Sequence, residues 1–476
     1  MAGMLTSAIP ASGSMVIDTA TQLSSSEKSM LAHHGRWAVV GRSLTLISAF
    51  ASMAILARVL SPASFAEFNV LRITITLFAV GAASGISQTA LRILSHQKSR
   101  SESRCVVTRI LQTALVFLCI ATIAGFAAVH FWGQTLLHRD IGLELTLIVT
   151  VAIAAFAASD VVSELNRGLG TPSIANLVGG TKGSPIANIV LIAMLPVLWY
   201  LGKDDTESAM LITAISVSIA VVAGAVSLIH HLAPVPSELT GSEDSVESVK
   251  SPDWGATFSL TLSALLTFLC SQGDIFLVGC FTAETDEVAF VAARRLIFLL
   301  SIPLTMLNTM AFGIIPKLLA SGRLQVLESS LRTGAALAGL PCLLIAGVIL
   351  FFPELTLRVF LGPGYQDGST LLQVLIPGQI VLVLSGSCGT LLALAGHQRT
   401  LLIVNVVMCV LMMAGGYLAA TYFGAMGLSI AVSLIVSAHN ICTWALASKL
   451  VGVNTWCRFR GLKTAAAQFL ATRQTS

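Results

Sequence analysis

A chain of 476 residues that is 55% apolar and only 11% charged, with a mean hydropathy of +0.86, has too little charge to clothe a soluble core of that size. It reads as an integral membrane protein, which excludes soluble enzymes and nucleic-acid binders. The formal net charge of +4 matters less than where the Lys and Arg residues fall relative to the spans.

Residues 1–34 are rich in Ser, Thr and Ala, lack an apolar run of spanning length, and read as a disordered cytoplasmic tail without a secretory signal. Apolar runs near 20 residues long then recur twelve times, which predicts an all-α polytopic protein with about 12 transmembrane helices. Six lie near 37–57, 69–91, 110–132, 141–163, 173–201 and 209–231. Six more lie near 255–280, 289–315, 331–352, 369–393, 400–420 and 426–448. The long polar interruption at 232–253, APVPSELTGSEDSVESVKSPD, divides the chain into an N-terminal six-helix bundle (35–231) and a C-terminal one (254–450), followed by a tail at 451–476.

The two bundles show a faint internal repeat. Laid on one another at a constant offset, GRWAVVGRSLTLISAFASMAILARVL with FNVLRITITL matches the stretch from Asp253 to Arg295, placing Phe68 on Phe290 and Arg72 on Arg294. Of the 27 Lys and Arg residues, Arg58, Arg139, Lys203 and Arg358 fall in one set of loops, and eighteen fall in the opposite loops and the tails. That asymmetry places both termini in the cytoplasm; the acidic linker contributes little to the rule.

The remaining five cations, Arg42, Arg72, Lys182, Arg294 and Arg295, lie in or at the edge of spans, against Asp160, Glu164 and Asp274. Each charge costs roughly 2.5–3.5 kcal/mol at a helix centre by insertion scales, so pairing or a wet cavity is expected. The functional reading is a cationic cavity for an anionic substrate group, with Asp160 and Asp274 as coupling candidates. The bland reading has Arg42, Arg72 and Arg295 snorkelling to an interface, and Glu164 pairing with Arg167 at a helix end. Arg294 and Arg295, about 100° apart on a helix, are not expected to face one cavity equally. Gly179, Gly180, Gly183 and Pro185 make the fifth span breakable, and Pro303 and Pro377 suggest bends in the second half.

No catalytic constellation is present: the histidines are scattered, and there is no phosphate-cradling loop, metal-ligand spacing or nucleophile motif. The nine cysteines lie mostly in apolar runs without a C-x-x-C and read as small core residues. The reading is a transporter, not an enzyme, and calls for no cofactor or metal.

Several motifs carry a resemblance. ILARVLSPASFAEFNVLR resembles the "LaRlLgpeefGxY" signature of polysaccharide exporters and O-antigen flippases of the multidrug/oligosaccharidyl-lipid/polysaccharide (MOP) transporter superfamily. Asp274 ahead of VAFVAARRL, LGPGYQDGSTLLQVLIP, LALAGHQRT, GAMGLSIAVS and RGLGTP follow in matching order over about residues 35–450. The sequence departs from the signature at Ala66 and Val288, where Gly is frequent, and at Phe68 and Phe290, where Tyr is. The resemblance implies a V of two pseudo-symmetric six-helix bundles like that of multidrug and toxin extrusion (MATE) transporters, working by alternating access. It further implies a polyprenyl-diphosphate-linked oligosaccharide moved across a bacterial inner membrane for surface polysaccharide or lipopolysaccharide synthesis. Membrane lipids, H+ or Na+ as coupling ion, and polymerase or glycosyltransferase partners accompany that reading. Carried over by position, Arg58, Asp274 and the region of Arg294 match recurrent charged sites, which adds Arg58 to Arg42, Arg72, Lys182, Arg294 and Arg295 as an expected substrate-binding cation of the cavity. A cation-coupled drug exporter of the same superfamily and a membrane glycosyltransferase or polymerase are the alternatives; the latter generally needs a sizeable outer loop, which this sequence lacks.

Overall fold

The structure, a computed structural model, describes residues 25–94, 100–137, 141–180, 183–232 and 254–458. Among them there is no strand, and ten helices are long and apolar enough to cross a membrane. The N-terminal bundle comprises α1 (Ser25–Val59), α2 (Pro62–Leu94), α3 (Arg100–Leu137), α4 (Leu143–Gly168), the short pair α5 (Pro172–Val178) and α6 (Pro185–Tyr200), and α7 (Thr206–Leu232). The C-terminal bundle comprises α8 (Trp254–Phe281), α9 (Glu284–Ile297), α10 (Ile302–Ala320), α11 (Leu324–Phe351), α12 (Pro353–Phe360), α13 (Ser369–Leu384), α14 (Cys388–Leu394) and α15 (Gln398–Leu450).

Twelve crossings follow from these elements. As one rod, the 53 residues of α15 would extend about 80 Å, far beyond a hydrocarbon core of about 30 Å. Gly424, with φ 59° and ψ −153°, breaks α15 into two spans, and Asp286 Oδ2 accepts the Ala425 N–H at 3.3 Å where the second one starts. The twelfth crossing is the interrupted pair α5 and α6. The helix α1 begins at Ser25, inside the stretch expected to be a tail. Residues 451–458 fold back on the bundle: the Thr455 hydroxyl donates to the Ser385 carbonyl at 2.7 Å and the Cys457 N–H to that of Leu384 at 2.9 Å. They satisfy carbonyls freed where Gly386, φ +69°, interrupts the helix between α13 and α14. Pro303 follows a 3-10 turn (Phe298–Ser301) within the eighth span, whereas Pro377 sits in a continuous helix.

The internal repeat is in register. Applied to helix ends, the offset that superposes Arg72 on Arg294 carries Val59 onto Phe281 and Pro62 onto Glu284, the ends and starts of corresponding helices. The first turn between them is set locally, with Pro62 at the first helical position and Ser61 Oγ accepting the Ser64 N–H at 3.1 Å. At the start of α7, Asp205 takes the N–H of Ser208 at 2.8 Å and its hydroxyl at 3.0 Å. Partial burial works to raise that carboxyl, but these donors outweigh it and hold it below the usual carboxylate range.

The second span is the spine of the molecule. In an 18-residue stretch of Pro62–Ala90, 72% of the residues are buried, against 17% in one of Ser103–Gly133 on the lipid-facing side. The spine packs on α4 within its own bundle and on α8 across the seam. The last approach is close because Gly85 has no side chain: a Cβ there would overlap the Thr257 carbonyl and the Thr261 hydroxyl. The Thr89 and Thr257 hydroxyls meet at 3.1 Å beside it.

At the opposite end of the seam, Tyr365 is 1% exposed, and its hydroxyl donates to the Ala57 carbonyl at 2.8 Å, an orphan of the last turn of α1. Burial pushes the phenol up, so it stays a donor. Its ring lies edge-on to Phe65 at 5.6 Å, and Phe50 meets Phe360 at 5.4 Å. The exposed Trp132, Trp199, Tyr200, Tyr422 and Phe423 ring this same end, as expected of residues at a membrane–water interface.

Overfilling the seam tests this packing. Gly85→Leu should lower the thermal stability of the detergent-solubilised protein by the equivalent of about 1–3 kcal/mol. Gly415→Leu, at a glycine with nothing within 4 Å, should leave it unchanged in the same melt.

Candidate functional site

Between the bundles lies a cavity of about 810 Å³, the size of a small-molecule or headgroup site. Its wall runs from mid-depth, at Arg72 and Arg295, to the end marked by Arg42, Gln88, Glu164 and Leu260. The Tyr365 end contributes no lining residue, so the aromatic seam closes the cavity there.

Each cation reaches the wall for a local reason. Gly41 lets α1 pack tightly on Asn176, which brings Arg42 to the inner surface. On α9, Arg294 donates through Nε to Asp274 and through Nη2 to the Ser271 carbonyl at 2.8 Å. Arg295 diverges toward the other bundle, donating through Nε to Asn69 Oδ1 at 2.6 Å, while its buried Nη2 has no hydrogen-bond partner. Both arginines line the cavity, but by different routes: about 100° apart on the helix, their side chains splay to α8 and to α2. Arg72 lines it from α2, and its side chain has no hydrogen-bond or ion-pair partner among the described residues.

The carboxylates separate into different roles. Asp274 is 1% exposed and does not line the cavity; it is the buried counter-charge of Arg294. Asp160, 4% exposed, does line it. Glu164 also lines it and pairs with Arg167 at 2.6 Å; Arg167 reaches Asn176 Oδ1 at 3.2 Å, the helix-end pairing expected for these two.

The fifth span breaks where its glycines predict. Gly179, Gly180 and Gly183 have φ of 71°, 61° and 102°, and a Cβ on Gly180 would strike Asp160. Freed carbonyls find hydroxyls, Ser159 donating to Val178 at 3.2 Å and Ser184 to Leu177 at 3.0 Å, while Ser163 donates at 2.8 Å to the Ala175 carbonyl, which also accepts the Gly179 N–H. Ser184 also accepts the Ala187 N–H to restart the helix. Gly183 lines the cavity, and Lys182, next to it, lies outside the described residues.

Arg58 is a correction to the expected cation set. It is exposed beside the Tyr365 end and donates to the Val359 carbonyl, because its place in the last turn of α1 sends it to the rim. Sequence reasoning passed over Asn69, Gln88 and Gln272, the first of which anchors Arg295 and the others of which line the cavity. An uncharged amide in an apolar run was the one available signal. Among the described residues no cluster of side chains suits a metal ion.

No family model matches the chain, and no curated protein does. Solved structures do. It is similar to an inward-facing multidrug resistance MATE transporter of the MOP superfamily, with TM-score 0.66 and 15% identity over 86% of this chain and 94% of that one. An outward-facing MATE structure gives TM-score 0.61 and 16% identity over 88% and 94%. A MOP superfamily transporter from Pyrococcus furiosus Vc1 (DSM3638), described as having a binding pocket of reversed polarity that suggests a different function, gives 0.61 and 15% over 88% and 94%. The chain is thus a multi-pass membrane protein with the MATE fold: two helical bundles around a central cavity.

Proposed function

We propose that this chain is a MOP-superfamily flippase that moves an anionic lipid-linked cargo, a polyprenyl-diphosphate oligosaccharide, by alternating access. The observation that carries the reading is Arg72, a cation at mid-depth that faces the cavity with no described partner. With the unsatisfied Nη2 of Arg295 beside the same space, it offers N–H donors to an anion. A diphosphate matches guanidinium forks in charge and shape. The apolar wall at Phe50, Phe268 and Phe298 suits an isoprenoid entering from the lipid. With the termini placed in the cytoplasm by the positive-inside rule, the cavity faces the cytoplasm and the Tyr365 seam faces out. Lys182, beside Gly183, would add a further cation. No covalent step is involved: the cargo's binding energy favours one arrangement of the bundles over the other.

The repeat supplies a reason for the unpaired charge. The offset that carries Arg294 onto Arg72 carries Asp274 onto Ser52, whose hydroxyl donates to the Ala49 carbonyl at 2.9 Å. One half keeps a counter-ion for its arginine, and the other has a serine.

A drug exporter draws support from Asp160 and Glu164 on the same wall. Glu164 is already engaged by Arg167, and with Arg294 set against Asp274 the wall still carries three further arginines, Arg42, Arg72 and Arg295, against Asp160, which favours an anion.

Reconstituted protein should translocate a fluorescent polyprenyl-diphosphate oligosaccharide between vesicle leaflets and not a cationic dye. Arg72→Ala and Arg295→Ala should each lower the apparent affinity about tenfold or more, the loss of a charge-assisted hydrogen bond of about 1.5–3 kcal/mol. Dye transport with an idle lipid assay would sink the proposal. Ser52→Asp, which gives Arg72 the partner its counterpart has, should abolish translocation while the melting temperature holds or rises. For Asp274, Asp274→Ala should destabilise the protein by about 3–5 kcal/mol, and Asp274→Ala with Arg294→Met should recover most of that loss in a thermal melt. Failure to recover would return Asp274 to a coupling role.

A further inference from the structure

The closed end of the seam holds carboxylates from both bundles, away from the cavity wall. Glu287, in the first turn of α9, is 2% exposed, and its Oε1 is buried without a hydrogen-bond partner. The charges that bear on it are Glu67 from α2, across the seam, and Glu284 on its own helix. From α8 the Cys280 thiol faces it. Glu67 Oε2 accepts the Thr206 hydroxyl of α7 at 2.6 Å. On the far side of α9, Gly368 packs against the Ala289 carbonyl, and α12, α13 and α15 bring no charge to bear on Glu287. In the sequence TAETDEVAF the residue reads as part of an exposed acidic turn.

A carboxylate removed from water, short of a donor and repelled by two others is the costly ionisation state; the neutral acid is the form such a site favours. We propose that Glu287 is a proton-binding site built into the seam, distinct from the central cavity, where a proton taken from the outer side latches the Tyr365 end shut. This rests on the alternating-access reading above. The step is a simple exchange. With the seam open, the Glu287 carboxylate takes H+ from external water; on closing, the neutral acid is buried against Glu67. Loss of that proton restores a negative charge facing Glu67, and the two bundles part. A group whose proton affinity is higher in the closed state stabilises closure fully at low pH and loses that contribution as pH rises through its closed-state titration.

The experiment measures opening directly in the full-length chain. Asp204 and Glu354, exposed on opposite bundles at this end, are replaced by a ketone-bearing residue carrying spin labels, which leaves the nine native cysteines untouched. Distance distributions are recorded in lipid nanodiscs from pH 5 to pH 9. The wild type should shift from a short to a long distance as pH rises, changing the closed-to-open ratio by about tenfold or more. Glu287→Gln, a permanent mimic of the acid, should stay short throughout. Glu67→Gln, which keeps the proton-binding group and removes one repelling charge, should respond more shallowly. Two distances whose ratio ignores pH, or a Glu287→Gln protein that keeps the wild-type response, would overturn the latch while leaving alternating access standing. A single distance under all conditions, with cargo lipid or without, would overturn both.

Discussion

A guanidinium at mid-depth in a bilayer is tolerable only if a carboxylate, an amide, water or an anion attends it, and this protein arranges several around one space. Arg294 receives a buried aspartate, Arg295 an asparagine from the opposite bundle, and Arg72 no described side chain. That gradation from fully paired to unpaired organises the cavity. The first contact holds a span in place within its bundle, the second ties the bundles together, and Arg72 is left facing the cavity.

Holding such a cavity open inside an apolar chain requires backbone that is not simply helical. Gly179 to Gly183 interrupt the fifth span, and hydroxyls of Ser159 and Ser163 on the neighbouring helix donate to carbonyls of the short helix that ends at the break. Each of those serines on α4 lies within four residues of Asp160, so the helix that presents the carboxylate to the cavity also stabilises the break beside it. In the other bundle the interruption comes at Gly386, in the tenth span, and is closed by Thr455 and Cys457, just past α15. The bundles repeat in their opening hairpins but not in where they yield.

The parts of this arrangement legible in the sequence are those that hydropathy and local stereochemistry dictate. Spans follow from apolar length, the break from three glycines and a proline, and the ion pair of Glu164 with Arg167 from helical spacing. What escaped were outcomes of tertiary contact. Arg58, grouped with the cavity cations by resemblance, instead donates to a carbonyl at Val359, far along the chain, and stays at the rim. That Arg294 and Arg295 both reach the cavity wall was hidden because helix geometry fixes Cα directions and not where a long side chain ends. Glu287 resembles a solvated loop residue until the halves are placed together, since its burial is created by α2 and α13, neither adjacent in sequence.

The two ends of the seam are therefore chemically unlike, and this bears on how a pseudo-symmetric molecule acquires direction. Equivalent hairpins would by themselves open equally well to either side. Here substitutions at equivalent positions remove the equivalence: serine stands at 52 against aspartate at 274, and phenylalanine at 65 against glutamate at 287. The first difference leaves Arg72 on the cavity wall without a partner among the described residues; the second places a buried acid in the closed seam. Cationic character thus concentrates at the open end and mid-depth, and acidic character at the closed end, along an axis that a symmetric pair of bundles would not possess. A net electrostatic preference for one arrangement under one set of ionic conditions follows from that segregation, because the work of exposing or burying each set differs between the two sides.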